Sequence, residues 1–123
     1  MSDRPHPTEL NLHRKSKVLE ITFSDGLHCN LSAEYLRVYS PSAEVRGHGP
    51  GQEVLQVGKE EVGIDHLAPV GNYAVTIHFD DGHNTGIYSW DTLYELSVNH
   101  DRYWQEYLSR LTASGYQRRQ QLS

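Results

Sequence analysis

The chain has 123 residues and a formal net charge of −5, and 37% of its residues are hydrophobic. This length predicts one domain around a single core. The negative charge argues against nucleic-acid binding, because proteins that bind nucleic acids usually have a basic face. No apolar run approaches the roughly 18 residues of a membrane span, the first residues lack a signal peptide and the lone Cys29 excludes an internal disulfide. We therefore expect a cytoplasmic protein that does not bind a membrane.

The two ends of the chain are predicted to lie outside the folded domain. Residues 1–13 are polar and rich in proline, which favours a flexible tail. Residues 116–123 contain two arginines and three glutamines and predict a second flexible tail. The domain is therefore expected to span residues 14–115.

The first predicted unit is a β-hairpin followed by a helix. Apolar and polar residues alternate over 17–23 and again over 27–31, which is typical of strands with one buried face. A three-residue loop over 24–26, with its glycine in the left-handed conformation, fixes the register. The resulting cross-strand pairs are Phe23 with Leu27, Ile21 with Cys29, and Leu19 with Leu31. Ser32 is then placed to cap a short helix, with Glu34 in its first turn.

A related unit lies downstream. A short strand over 63–70 leads through a turn at 71–72 into a second strand over 73–79. A three-residue loop over 80–82 then predicts a returning strand. Its expected pairs are Phe79 with His83, Ile77 with Thr85, and Val75 with Ile87.

Two helices are predicted to complete the chain. Ser89 is placed to cap the first, with Asp91 in its first turn. The second begins near Asn99 and ends before Gly115, with an apolar stripe formed by Trp104, Tyr107, Leu108 and Leu111. The predicted fold class is α+β, with two related β-hairpin–helix units that form a mainly antiparallel sheet, plus a C-terminal helix.

Two histidines are candidate binding residues. His48 lies in the Gly- and Pro-rich loop over 39–51, a length usually found in functional or disordered loops. His83 occupies the place that Leu27 fills in the first hairpin, so the sequence alone predicts that leucine would be tolerated there. The two imidazoles could form a weak metal site with Glu44 or Asp81 as an oxygen donor. Solvation of the loop would equally explain His48, and a hydrogen bond at the hairpin tip would explain His83.

The downstream copy also carries the candidate binding residues Tyr88, Trp90 and Asp91, because this copy has more polar and aromatic residues than the upstream one. The aromatic pair would otherwise serve as core or edge side chains, and an exposed aromatic would mark a protein contact. His78 and Asp80 match half of a non-haem iron triad, but Asp80 begins the turn and no partner histidine is apparent. No catalytic residue is predicted.

Four segments together resemble a known family: LRVYSPSAEV over 36–45, GHG over 47–49, VGNY over 70–73 and DGHNTGIYSW over 81–90. They are similar to the gamma-butyrobetaine hydroxylase-like N-terminal domain, long classed as a domain of unknown function, and the resemblance covers roughly residues 14–112. It implies a domain that precedes the catalytic domain in the dioxygenases that name the family. Similar domains are attached to nucleotide-binding iron–sulfur carrier ATPases. Small free-standing versions occur in bacteria, and this chain is expected to be one of them.

The resemblance also implies the position of a zinc site. The dioxygenase branch holds a structural zinc through Cys-Pro-Cys-x-x-Cys and a distant histidine. The corresponding positions here are Ser40, Ser42 and Val45, with His83 matching the histidine. Hydroxyl groups and a valine do not replace zinc-binding thiolates, so we expect the structural zinc site to be lost and predict no cofactor.

The resemblance favours a non-catalytic accessory or adaptor domain that acts through protein contacts. A role in metal or iron–sulfur handling comes from the resemblance alone. The first alternative is a metal-dependent enzyme component associated with 2-oxoglutarate oxygenases. The second is a small-ligand-binding domain in which residues 39–51 form a lid.

Overall fold

The computed structural model describes residues 4–42, 55–56 and 58–116. These residues form two three-stranded antiparallel sheets, with strand orders β1-β2-β3 and β4-β5-β6, together with helices. The α+β class predicted from the sequence is therefore confirmed. In chain order the elements are β1 (Pro7–His13), β2 (Val18–Phe23), β3 (His28–Ser32), α1 (Ala33–Val38), β4 (Ile64–Val70), β5 (Ala74–Phe79), β6 (Ile87–Ser89), α2 (Trp90–Val98) and α3 (His100–Ala113).

The first hairpin has the predicted register. The Phe23 N–H donates to the Leu27 carbonyl at 2.8 Å, and the pairs Ile21–Cys29 and Leu19–Leu31 follow along the ladder. Gly26 has a φ of +94°, which is the left-handed conformation that the three-residue turn requires. The Ser32 hydroxyl accepts the Tyr35 N–H at 3.1 Å and caps α1 as expected.

The predicted N-terminal tail is wrong for residues 7–13. This segment is β1, which pairs antiparallel with β2 and places Leu10 opposite Ile21 and Leu12 opposite Leu19. Both leucines are half-buried and pack against the core. The sequence analysis gave weight to the prolines and polar residues and overlooked this two-leucine alternation. A proline at the first position of an edge strand leaves the ladder intact.

The returning strand of the second hairpin is also displaced from its predicted register. The Phe79 N–H donates to the His83 carbonyl at 3.0 Å, as expected. Beyond that pair, however, Val75 lies opposite Tyr88 rather than opposite Ile87. One extra residue is accommodated between His83 and β6, and a shift by one residue turns every later side chain to the other face. Tyr88 is therefore fully buried and Ile87 is 52% exposed.

The helices cover the sheets and complete the core. The Ser89 hydroxyl accepts the Thr92 N–H at 3.1 Å and caps α2, and α3 buries Tyr107 and Leu111 of its predicted stripe. The core itself joins the inner faces of both sheets to α1 and α2 and includes Leu19, Ile21, Phe23, Tyr35, Leu36, Ile77, Phe79, Tyr88 and Leu93. No helix in the described ranges is long and apolar enough to cross a membrane.

The C-terminal tail begins later than predicted. Tyr116 packs against the side chains around Tyr107 and Leu111, and its hydroxyl donates to Glu60 at 2.7 Å. Tyr116 therefore belongs to the folded part, whereas residues 117–123 lie outside the described residues.

Candidate functional site

A cluster of hydrogen-bonded polar side chains joins the end of α1 to the second hairpin. Ser40 follows α1 and is fully buried, and its Oγ lies 2.9 Å from Nε2 of His83, which is 6% exposed. The Ser42 N–H donates to the same Oγ at 3.2 Å. The Ser42 hydroxyl lies 2.8 Å from the Thr85 hydroxyl. We call Ser40, Ser42, His83 and Thr85 the serine–histidine cluster.

Gly86 makes this approach of two segments feasible. A Cβ atom added at Gly86 would lie 2.3 Å from Ser40 Oγ and 3.3 Å from Pro41 Cδ. Such a distance to Oγ is far inside van der Waals contact, so only glycine fits between Ser40 and the returning chain. The extra residue that shifts the register of β6 lies in this same stretch.

Asp81 forms a charged cluster beside the serine–histidine cluster. Its Oδ1 accepts the His83 N–H at 3.1 Å, and its Oδ2 accepts from Arg37 Nε at 2.9 Å and Lys59 Nζ at 2.8 Å. Partial burial alone would raise the Asp81 pKa, but the hydrogen bonds from Lys59, the His83 N–H and Arg37 outweigh it and lower the pKa to about 2. Asp81 is therefore ionised at neutral pH and fixes the backbone at His83.

The Ser40–His83 pair is built as a structural link and not as a nucleophile and base. The Ser40 side chain has no exposed surface, and its oxygen already accepts the Ser42 N–H. A catalytic serine must present its oxygen to a substrate carbonyl. In the described conformation Ser40 presents none, so its hydrogen bond to His83 ties two segments of the fold together.

The donors at this position do not fit the zinc ion that the resemblance implies. His83 Nε2, the nitrogen nearest to the serines, is engaged by Ser40 at hydrogen-bond distance, which leaves no space for an ion between them. The nearby oxygens of Ser40 and Ser42 belong to hydroxyl groups, which are not ligands of structural zinc. Across the described residues no group of three His, Cys, Asp or Glu side chains is arranged to hold a metal ion. The absence of bound zinc in solution stays a prediction.

The structure brings only some of the candidate binding residues together. His83 meets Ser40 and Asp81, whereas His48, Glu44 and Val45 lie outside the described residues, so convergence of the two imidazoles stays a prediction. The remaining three candidates each have a different environment. The Tyr88 hydroxyl donates to the Leu36 carbonyl at 2.6 Å within the core, the Trp90 indole donates to the Asn72 carbonyl at 2.8 Å, and exposed Asp91 pairs with Arg4 at 2.6 Å.

Sequence reasoning missed three residues that build the site. Arg37 and Lys59 neutralise Asp81 from 44 and 22 residues away, and no local pattern links such distant charges. Gly86 could have been found from a weak signal in the sequence, because a glycine inside a predicted strand often marks a close approach of another backbone or side chain.

The outer face of the second sheet is a separate candidate for binding. Ile87 lies opposite Thr76, and Thr76 lies opposite Ala68 on β4, so the three side chains form one row. Tyr73, in the turn between β4 and β5, is 58% exposed, and Ile87 is 52% exposed. We call Ala68, Thr76 and Ile87 the outer sheet face.

The chain is similar to proteins of one family. The family described as gamma-butyrobetaine hydroxylase-like, N-terminal, matches residues 10–94. One NMR solution structure is 43% identical, with a TM-score of 0.82; the match covers 98% of this chain and 95% of that one. A second NMR solution structure is 52% identical, with a TM-score of 0.81; the match covers 99% of this chain and 91% of that one. A crystal structure of a DUF971-family protein of unknown function from Acidithiobacillus ferrooxidans is 40% identical over 74% of this chain and 91% of that one, with a TM-score of 0.62. No curated protein matches the chain.

Proposed function

The chain belongs to the gamma-butyrobetaine hydroxylase-like N-terminal family, and on that premise we propose that it is a non-catalytic accessory or adaptor domain. It acts through contacts with another protein in the cytoplasm. The related protein from Acidithiobacillus ferrooxidans is itself of unknown function, so support for the proposal has to come from the surface of this domain.

The observation that carries the proposal is the exposed apolar surface of the second sheet. Three large apolar side chains of the described residues are more than half exposed, and one of them, Ile87, belongs to the outer sheet face. Ile87 is on a three-residue edge strand and faces outward because of the register shift between His83 and β6. Apolar and aromatic groups are enriched at the centres of protein interfaces, so this face is suited to a partner.

The closed serine–histidine cluster supports a binding role over a catalytic one. Its buried polar atoms bond to one another, and Ser40 has no exposed surface. A group that must reach a substrate needs access to a cleft. The polar residues that distinguish the second hairpin therefore stabilise the fold, and the surface beside them is left for recognition.

The first candidate partner is a protein that handles iron–sulfur clusters or metal ions. This part of the proposal comes from the resemblance, since similar domains are joined to iron–sulfur carrier ATPases. A carrier of that kind would not require this chain to hold metal itself. The proposal is thus compatible with the expected loss of the structural zinc site.

The test compares two charge insertions of matched exposure. Ile87→Glu places a carboxylate on the outer sheet face, whereas Val98→Glu does the same at the end of α2, where Val98 is 54% exposed. Both variants should fold, as judged by NMR spectra. A purified iron–sulfur carrier from the same organism should bind the wild-type protein and Val98→Glu, and binding to Ile87→Glu should be at least about tenfold weaker.

Two results would contradict the proposal. Equal binding of all three proteins would show that the outer sheet face is not the interface. Metal-dependent turnover of a 2-oxoglutarate oxygenase that requires this chain, with no binding to the carrier, would favour the enzyme-component alternative.

A further inference from the structure

Two metal-ligating side chains stack on the second sheet, separate from the serine–histidine cluster. His66 on β4 and His78 on β5 lie directly opposite each other in the ladder. Their imidazole rings are stacked, with centroids 4.1 Å apart and an angle of 17° between the ring planes. His66 is exposed and His78 is half-exposed, so an ion in solution can reach the pair.

The spacing of the two rings is close to what a shared ion requires. A metal ion lies about 2.0–2.1 Å from each imidazole nitrogen, which puts two ligating nitrogens about 3 Å apart. Directly opposed side chains of an antiparallel pair have Cβ atoms about 4.5–5.5 Å apart. The ring centroids of His66 and His78 are 4.1 Å apart, so the two imidazoles are near enough for one nitrogen of each to share an ion once the rings reorient.

Thr76 engages one nitrogen of His78. The Thr76 hydroxyl donates to the Ala68 carbonyl at 3.3 Å, and the same oxygen lies 3.3 Å from His78 Nε2. In the tautomer that carries its proton on Nε2, His78 donates to this oxygen. His78 Nδ1 then keeps its lone pair for a metal ion, in the arrangement in which a ligating histidine donates its other N–H to an outer partner.

The surroundings of the pair favour a cation. Asp65, which precedes His66 in the sequence, is exposed and lies at the register shift between Ile64 and His66. The chain as a whole carries a net charge of −5. Since the described residues hold no group of three metal-binding side chains, the site has two protein ligands, and water completes the coordination shell.

We propose that His66 and His78 form a surface site for a divalent transition-metal ion. Imidazole ligands suit copper, nickel and zinc, and the general order of affinities predicts that Cu²⁺ binds most tightly. The site adjoins the outer sheet face through Thr76, but it needs no partner protein, so its test does not depend on the proposed adaptor function. It is also at a different place from the zinc position implied by the resemblance.

The first measurement locates the ion on the wild-type protein. Protein without a histidine tag is freed of metal by a chelator and titrated at neutral pH with Cu²⁺ below one equivalent. Paramagnetic Cu²⁺ broadens the NMR signals of nearby nuclei, so the signals of residues 65–67 and 77–79 should disappear first. No localised broadening, or broadening that begins elsewhere, would overturn the proposal.

The second measurement compares dissociation constants for Cu²⁺ in three variants. Loss of even an outer-shell partner typically costs about 10–100-fold in metal affinity. Removal of a ligand should cost no less, so His66→Gln and His78→Gln should each weaken binding at least tenfold. His28→Gln is the matched control, because His28 is also partly exposed and its Nε2 pairs with Glu20 on the other sheet. Unchanged binding in both test variants, or loss of binding in His28→Gln, would overturn the assignment.

Discussion

Ser40 and Gly86 lie in close contact. Ser40 is held in place by a hydrogen bond, and Gly86 can approach it because it has no side chain. Ser40 Oγ bonds to His83 Nε2 at 2.9 Å, and a methyl group at Gly86 would lie 2.3 Å from the same oxygen. The cost of changing either residue therefore depends on the other. Residues whose environments are shared in this way show non-additive effects on stability.

Gly86→Ala should lower the free energy of unfolding by about 1–3 kcal/mol, the usual cost of overpacking a core. Ser40→Ala removes the atom that would clash, so adding Gly86→Ala to the Ser40→Ala protein should cost much less. Urea unfolding of the two single variants and the double variant measures this coupling.

Gly82→Ala is the control for that cycle. Gly82 has a φ of +90° and no atom within 4 Å of its added Cβ, so its cost, on the order of 1 kcal/mol, comes from the backbone alone. Ser40→Ala should leave that cost unchanged. Equal rescue of both alanine variants, or rescue of neither, would show that the contact between Ser40 and Gly86 does not govern stability.

His83 shows how a contact from a distant segment changes a prediction made from one hairpin. By comparison with Leu27, the sequence alone predicts that leucine is tolerated at position 83. In the structure, His83 is buried and bonded to Ser40, 43 residues away. A leucine would leave that buried oxygen without its imidazole partner, and an unmade buried hydrogen bond typically costs about 1–3 kcal/mol. The hairpin comparison identified the position, but the partner could come only from the fold.

At the scale of elements, the two hairpins differ in how well their strand register could be predicted from the sequence. The register of the first hairpin follows from its loop length, because apolar and polar residues continue to alternate along both strands. In the second hairpin, the loop length correctly predicts the Phe79–His83 pair, but the later pairs are displaced by one residue from the predicted register. The extra residue lies in the stretch where Gly86 passes beside Ser40, a tertiary contact that strand periodicity does not encode.

β1 provides a test at the element scale, because a tail and a strand respond differently to mutation. Leu12 pairs with Leu19 and packs against the core. Leu12→Ala should lower the free energy of unfolding by about 1–2 kcal/mol, somewhat less than for a fully buried leucine. Glu9→Ala on the same strand is the control, since Glu9 is exposed, and its effect should stay within about 0.5 kcal/mol. Thermal melts in which neither variant differs from wild type would restore the tail interpretation.

At the scale of the whole molecule, charge neutralisation joins parts of the chain that no local pattern connects. Asp81 forms ion pairs with Arg37 at the end of α1 and with Lys59 in the segment before β4. The Arg37 side chain is 9% exposed, and its Nη1 is buried without a hydrogen-bond partner among the described residues. Asp81 is therefore the charge that allows Arg37 to remain in the interior, since a buried cation without a counter-ion is costly.

This arrangement predicts how stability depends on acid. The Asp81 pKa falls from 3.8 in a model carboxyl group to about 2 in the folded protein, so the unfolded chain binds the proton more readily. The stabilisation is complete above the unfolded pKa and is lost as pH falls from about 5 towards 2. After allowance for solvent screening, we expect this group to contribute about 1 kcal/mol.

Asp81→Asn separates this contribution from general acid unfolding. The variant should be less stable than wild type at neutral pH, because Arg37 and Lys59 lose their counter-charge, and its stability should change less between pH 5 and pH 2. Asp91→Asn is the control, because the Arg4–Asp91 pair has side chains that are 79% and 60% exposed, and exposed pairs contribute little. Urea unfolding across this pH range measures both slopes. If Asp81→Asn kept the wild-type slope, or if Asp91→Asn flattened it equally, the acid sensitivity would have to come from other carboxylates, and Asp81 would not be the residue that holds α1 to the second hairpin.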